Sequence, residues 1–288
     1  MKSVEIVYRY QAQDAPAAPR PADADAAQRR LNDGNRAFSA LLDGLTDEGG
    51  PVRRVVQVDA RDLGLLPGDA KNPAQRPFAA IVGCADARVP VELIFSEGPN
   101  DLFVVRVAGN VLGTEVLGSL KYAVEHLGGS LKVIAVLGHS GCGAVTAAVD
   151  VFLKPANYLP IATSHALRSI IDRLLVVTQA SANAMVDVLG ADVVQRPGYR
   201  DALIEVSVLM NAALAAHTIQ QELGARDGHG LRAIYGVYLL NTRQIWAPQG
   251  AAAHSGGLAV PPRDLAAFVE LGGAVVRSER ITALLGAA

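Results

Sequence analysis

The sequence predicts an α/β fold with a mostly parallel central sheet covered by helices, an N-terminal helical arm and a C-terminal extension. Four short runs of apolar residues lack a polar face, which is typical of strands buried on both sides. These runs cover residues 78–83, 102–107, 133–137 and 233–240. The stretches between them carry apolar residues at helical spacing, and strands that alternate with helices favour a parallel sheet.

The elements outside the four strands are predicted from helix breakers and apolar spacing. Three prolines, Pro16, Pro19 and Pro21, interrupt any helix or strand, so residues 1–27 are predicted to form a flexible arm. A surface helix is expected at about residues 26–42, followed over residues 46–77 by loop with one strand at 52–58. Further helices are expected at residues 114–127, 144–153, 165–189 and 201–223.

Two boundaries divide the chain further. The α/β domain is expected to cover residues 28–247, and residues 248–288 form the C-terminal extension. This extension is predicted to contain a docking helix, because apolar side chains recur at Leu265, Phe268, Val269 and Leu271.

The balance of charge excludes some classes of partner. The 288 residues carry 26 Lys and Arg against 28 Asp and Glu, so no basic excess favours nucleic acid or anionic lipid. Lys2, Glu5 and Arg9 interrupt the opening residues, and no stretch reaches the ~18 uncharged apolar residues that span a bilayer. We therefore expect a cytoplasmic protein with no nucleic-acid and no membrane partner.

Two cysteines, Cys84 and Cys142, are too few for a disulfide framework in a chain of this size. Cys84 and His139 each follow a buried run directly, at the carboxyl ends of predicted parallel strands, where open α/β sheets bind ligands. Cys142 comes three residues after His139, which is close enough for both side chains to hold one ion. If the strands are neighbours, a Cys₂His set favours zinc and leaves a fourth position open.

Two charged residues follow Cys84 at a spacing that can place them beside such an ion. Asp86 and Arg88 come two and four residues after the cysteine, so one side of the segment can carry all three. Arg88 would keep the Asp86 carboxylate ionised. Asp86 could then accept a hydrogen bond from metal-bound water, or it could itself become the fourth ligand.

Several motifs of this sequence resemble those of the β-class carbonic anhydrases. They are C-A-D-A-R at residues 84–88, H-S-G-C-G at 139–143, L-F-V-V-R-V-A-G-N at 102–110 and S-L-K-Y-A-V at 119–124. The helix around residues 31–38 and the strand before Trp246 are also similar to that family, so the resemblance covers roughly residues 28–247.

The resemblance implies a zinc enzyme, one zinc per chain, that reversibly hydrates carbon dioxide to bicarbonate and a proton. It implies that Cys84, His139 and Cys142 hold the zinc and that Asp86 and Arg88 form the dyad that orients the water. The residues implied in substrate binding are Gln75, Phe103, Ala108, Tyr122 and Gly143. In this family the pocket forms across a dimer interface, which implies a homodimer or a higher even homo-oligomer.

Alternatives remain open at the level of the sequence. Ala87 stands where the family usually has serine, and relatives active on carbonyl sulfide share this variant, so hydrolysis of carbonyl sulfide or carbon disulfide is the second reading. Phe103 and Tyr122 could equally be core residues. Residues 138–142 approach the nucleophile elbow of a hydrolase with Ser140 as nucleophile, and their glycines approach a phosphate loop. A zinc-stabilised scaffold without activity is a further reading.

Overall fold

The computed structural model describes residues 3–11, 19–41, 52–64, 72–224, 230–248 and 256–286, and a five-stranded sheet lies at its centre. The described strands are β1 (Val4–Gln11), β2 (Val52–Asp59), β3 (Ala79–Gly83), β4 (Leu102–Arg106), β5 (Val133–His139), β6 (Arg232–Tyr238) and β7 (Ile245–Trp246). The central sheet has the order β4-β3-β5-β6-β7, and only β7 runs antiparallel. This confirms the predicted α/β fold class and its mostly parallel sheet.

The inner strands are buried because helices cover both faces of the sheet. All residues of β3 and β5 are buried, and two apolar clusters lie on opposite sides of them. The edge strand β4 differs, since four of its five residues are only half-buried and Arg106 is exposed. The four apolar runs predicted from the sequence all became strands of this sheet.

A second, two-stranded parallel sheet joins β1 to β2. β2 agrees with the strand expected at residues 52–58, whereas β1 corrects the prediction of a flexible arm over residues 1–27. Val4–Gln11 are not free, because they pair along their whole length with Val52–Asp59. Residues 12–18 of that arm, with Pro16, lie outside the described residues.

The helices confirm the predicted alternation and add elements that the sequence did not indicate. The described helices are α1 (Ala24–Ala40), α2 (Val91–Ile94), α3 (Thr114–Leu127), α4 (Gly143–Leu153), α5 (Tyr158–Ala162), α6 (His165–Leu189), α7 (Tyr199–Ile219), α8 (Leu265–Val276) and α9 (Glu279–Gly286). The Asp23 side chain caps α1 by accepting a hydrogen bond from the Ala26 N–H. α1 corresponds to the surface helix expected at about residues 26–42, and residue 42 lies outside the described residues.

Helix α7 is the central support of the fold. It packs against β5, β6, α6 and α9, and its residues are buried along most of its length. The helix and the turn that follows it, residues 199–224, are long and apolar enough to cross a membrane, but 78% of the apolar stretch is buried inside the protein. That burial is typical of the core helix of a folded domain.

The C-terminal extension docks through a face that only partly matches the predicted one, since Phe268 and Leu271 pack on the core. Leu271, Val275 and Val276 of α8 are buried, whereas Leu265 and Val269 are exposed. The extension does hold a docking helix, but two of the four residues in the predicted stripe face solvent. The following helix α9 was not predicted, and it packs against α7.

Candidate metal centre

Two neighbouring strands and one helix start bring the predicted donor residues together. Cys84 follows β3 and His139 ends β5, and these strands pair directly, with Gly83 opposite Leu137. Gly141, at a left-handed φ of 63°, turns the chain so that Cys142 becomes the N-cap of α4. The donor atoms of Cys84, His139 and Cys142 all lie within 4.8 Å of one another.

The chemistry of this cluster fits a metal ion. The two sulfurs are 3.9 Å apart, and all three residues are buried. Nδ1 of His139 lies 3.0 Å from the Ser140 carbonyl oxygen and donates to it, which leaves Nε2 as the acceptor. Among the described residues, Nε2 has no hydrogen-bond partner although it is buried. A buried nitrogen without a partner is costly, and a metal ion would satisfy it.

The electrostatics of the two thiols also favour a bound cation. The hydrogen bond between the Cys84 and Cys142 sulfurs lowers the pKa of Cys84 to about 4. The same contact and burial raise the pKa of Cys142 above its ordinary value. Without a cation the pair therefore favours a single thiolate, and a divalent ion is what would allow both sulfurs to carry negative charge.

Asp86 and Arg88 form the dyad that their spacing predicted. The Arg88 side chain donates from Nε to Oδ1 at 3.0 Å and from Nη2 to Oδ2 at 2.7 Å. The Arg88 backbone N–H also donates to Oδ1, at 2.9 Å. These bonds hold the pKa of Asp86 well below its usual range. Oδ2 lies 3.8 Å from Nε2 of His139, so the carboxylate faces the donor cluster.

Three residues that the sequence did not single out support the cluster. Arg106, at the end of β4, donates from Nε to the Cys84 carbonyl at 3.0 Å and from Nη2 to the Asp86 carbonyl at 2.6 Å. The Gly109 N–H donates to the Cys84 sulfur at 3.4 Å, and the Gly109 carbonyl accepts from Asn211 of α7 at 2.9 Å. In the sequence, a charged residue at the end of a run predicted to be a buried strand was a signal for Arg106, but no local pattern indicated Asn211.

The predicted substrate-binding residues divide into two groups. Ala108 precedes Gly109, and Gly143 is the first residue of α4, so both lie beside the donor cluster. Gln75 instead lines a surface cavity with residues 126–132, beside the amino ends of β3 and β5. At ~3.3 Å per residue, the strand separates Gln75 from its own chain's cluster by on the order of 20 Å.

The two predicted aromatic residues also lie away from the donor atoms. Phe103 is half-buried on the edge strand β4 and packs against the larger of the two apolar clusters. Tyr122 of α3 is 50% exposed and stacks on His126, with ring centroids 4.5 Å apart. Core packing therefore does not account for Tyr122.

Ser140 has a structural contact rather than the contact that a hydrolase elbow requires. Its hydroxyl oxygen accepts a hydrogen bond from the Leu240 N–H at 3.0 Å. Within the part of the chain that the structure describes, no imidazole or carboxylate is bonded to that hydroxyl. The contact ties the loop at residues 139–142 to the end of β6.

Comparison with known proteins identifies the class to which this fold and cluster belong. Residues 79–238, more than half of the chain, match the family model described as Carbonic anhydrase (Pro_CA). The chain therefore belongs to the β-class carbonic anhydrase family. The matched region begins with β3 and ends with β6, so it includes all five residues of the candidate centre.

Individual proteins of this family are also similar to the chain. The chain is similar to carbonic anhydrase 2 of Mycobacterium tuberculosis, with 45% identity over 124 residues, which is 43% of this chain and 52% of that protein. It is also similar to a carbonic anhydrase of Mycolicibacterium smegmatis, with 40% identity over 125 residues and the same shares. The match thus spans about half the length of these relatives. The solved β-carbonic anhydrase CcaA covers 65% of this chain and 85% of its own, with 24% identity and a TM-score of 0.49.

Proposed function

We propose that the protein is a zinc-dependent carbonic anhydrase that reversibly hydrates carbon dioxide to bicarbonate and a proton. The observation that carries the proposal is the buried group of Cys84, His139 and Cys142, in which the His139 Nε2 atom has no hydrogen-bond partner among the described residues. Membership of the carbonic anhydrase family supports the same reaction.

Zinc is the ion that this donor set favours. Two thiolates and an imidazole are soft or borderline ligands, which excludes magnesium or calcium as the natural occupant. Three protein ligands rather than four are typical of catalytic zinc sites. When bound, zinc would act as a Lewis acid that makes water a nucleophile at neutral pH.

The remaining roles are assigned to the chain's own residues. Asp86 accepts a hydrogen bond from the attacking water and so orients it toward the carbon of the substrate. Arg88 keeps Asp86 ionised and fixes its direction, and because it occupies both carboxylate oxygens it favours this role over that of a fourth ligand. The Gly143 N–H, at the start of α4, is placed to bind the negative oxygen of the product.

The proposal is tested on the full chain by measuring metal content and turnover on the same sample. We expect close to one zinc per chain and hydration of carbon dioxide in a stopped-flow assay, with carbonyl sulfide and carbon disulfide as parallel substrates. Cys142→Ala should lose both the zinc and the turnover, because two donors hold zinc poorly. Ser169→Ala, an exposed residue of α6 outside the cluster, is the control, and it should keep the zinc.

Three results would overturn this function. A chain without zinc would contradict the metal centre, and a zinc-loaded chain without turnover would be a scaffold. Turnover of carbonyl sulfide or carbon disulfide alone would move the protein to the second reading, for which Ala87 is the supporting feature.

We also propose that the enzyme is cytoplasmic and that two copies associate as a homodimer or a higher even oligomer. The exposed position of Tyr122 and the distance of Gln75 from its own cluster support a pocket that a second copy completes. The half-buried edge strand β4 is the neighbouring surface that such a copy would cover.

A further inference from the structure

The loop that links His139 to Cys142 is fixed on two sides. On one side the Ser140 N–H donates to the Tyr238 carbonyl at 3.0 Å, and the Ser140 hydroxyl accepts from Leu240. On the other side the Gly141 N–H donates to Oε1 of Glu205, on α7, at 2.8 Å. Two of the three donor residues flank this loop, so its position sets the distance between them.

The contact with Glu205 is the tether on the α7 side. A Cβ atom built on Gly141 would meet no other heavy atom within 4 Å, so side-chain packing does not hold the loop there. A cavity of 680 Å³ lies beside it, lined by Gly141, Glu205 and Arg280 among others. A hydrogen bond to a carboxylate is about twice as strong as a neutral one, which suits Glu205 to this task.

Glu205 is itself held by the C-terminal extension. Arg280 of α9 donates from Nε to Oε2 of Glu205 at 3.2 Å, and its Nη2 atom donates to the same oxygen. The Glu205 side chain is only 11% exposed and that of Arg280 is 25% exposed. One carboxylate therefore joins the metal loop through one oxygen and the last helix of the extension through the other.

We propose that Glu205 is a positioning residue for the metal loop and that Arg280 orients it, so that the C-terminal extension helps to retain the metal. The inference rests on the zinc site proposed above. Residues that orient metal-binding side chains from outside the donor set are worth about tenfold to a hundredfold in metal affinity. Because the Ser140 contacts remain when Glu205 is removed, we expect looser metal binding rather than an unfolded protein.

The experiment measures the rate of zinc release from the full-length holoenzyme into excess 4-(2-pyridylazo)resorcinol. Glu205→Ala should release zinc about tenfold faster or more, because the Gly141 tether is lost. Glu205→Gln should release it more slowly than Glu205→Ala, since an amide oxygen still accepts from Gly141. Arg280→Ala should show a smaller acceleration. Arg263→Ala, an exposed residue of the same extension, should match the wild type.

An exchange of the two charges separates positioning from simple docking of α9. The double variant Glu205→Arg with Arg280→Glu restores an ion pair between α7 and α9, but an arginine cannot accept a hydrogen bond from Gly141. We expect its thermal unfolding midpoint to recover toward the wild type while zinc release stays fast. In the cobalt-substituted protein, the sulfur-to-metal charge-transfer band of this double variant should differ from that of the wild type.

Several outcomes would overturn the inference. Wild-type release rates in Glu205→Ala would show that the tether does not hold the loop. Recovery of slow release in the charge exchange would show that Glu205 only docks the last helix. A wild-type chain without zinc overturns this inference together with the proposed function, whereas a zinc-loaded chain without turnover leaves the release assay decisive for Glu205.

Discussion

Asp86 has two neighbours, Arg88 and His139, and both favour its ionised form. Arg88 supplies bidentate hydrogen bonds that keep the carboxylate ionised, and His139 presents a buried nitrogen 3.8 Å away. The oxygen that faces the cluster is therefore a permanent hydrogen-bond acceptor at any working pH. Such an acceptor can orient a water molecule without needing to change its own protonation state.

Asp86→Asn should keep the zinc and lower kcat by about a hundredfold or more, because an amide offers a weaker acceptor and can present a donor instead. The measurement is stopped-flow hydration with zinc quantified on the same sample. Asp150→Asn is the matched control, since Asp150 is also a carboxylate paired with an arginine, Arg200, but lies outside the cluster. Full activity in Asp86→Asn would remove Asp86 from the mechanism.

The contact between α1 and the turn after α2 is a buried ion pair. Arg30 of α1 donates from Nε to both carboxylate oxygens of Glu97, at 2.9 and 3.1 Å, and its guanidinium lies 4.4 Å from the centre of the Phe78 ring. Burial raises the pKa of Glu97 to about 7 and outweighs the attraction of Arg30. The ordinary pKa of this group is 4.5.

The buried pair of Arg30 and Glu97 predicts that the free energy of unfolding falls as the pH rises. Between about pH 4.5 and 7 the folded protein binds more protons at Glu97 than the unfolded chain does, so the free energy of unfolding decreases with pH in that window. The effect is about 1.4 kcal/mol for each unit by which the pKa is raised. Urea unfolding at pH 5 and pH 8 measures it.

Glu97→Gln should flatten the pH dependence, because the variant has no proton to lose at that position. Glu125→Gln is the control, since Glu125 belongs to an exposed pair with Lys121 and should leave the slope unchanged. An identical slope in Glu97→Gln and the wild type would show that Glu97 does not carry the effect.

The sequence predicted the elements whose pattern is local. Strands β3 and β5 have no polar face, which is typical of buried strands. Cys84 and His139 were predicted as donors because they stand at the carboxyl ends of these strands. β1 was missed because its partner β2 lies far along the chain and both of these strands are partly exposed. Glu205 and Asn211 were missed because a polar residue on a helix normally faces solvent, and only the packing of α7 shows otherwise.

At the scale of the whole molecule, the substrate pocket proposed above is incomplete within a single chain. The donor cluster lies at the carboxyl edge of the sheet, whereas Gln75 lies beside the amino edge. Both can serve one substrate only if Gln75 reaches the cluster of another copy. The exposed ring of Tyr122 requires the same arrangement if it is to line a pocket.

Hybrid oligomers test whether Gln75 acts in the partner's site. Chains with Gln75→Ala and chains with Cys142→Ala should each have lower kcat/KM as homo-oligomers. When the two are co-expressed, activity should exceed the average of the two, because the metal of the first chain meets an intact Gln75 from the second.

A second co-expression is the control for this test. Cys142→Ala together with Asp86→Asn should give no recovery, since Asp86 contacts the histidine of its own chain. If co-expression of Gln75→Ala with Cys142→Ala gives no recovery either, Gln75 does not act in the partner's site.

Cys84 stands 58 positions before Cys142 and directly follows β3, the strand next to the one that ends in His139. A newly made chain therefore offers a cation only the local pair of His139 and Cys142, and the third donor arrives when β3 and β5 align. We therefore expect the proposed ion to bind with all three donors only after the sheet has assembled, because the complete site exists once β3 and β5 are aligned.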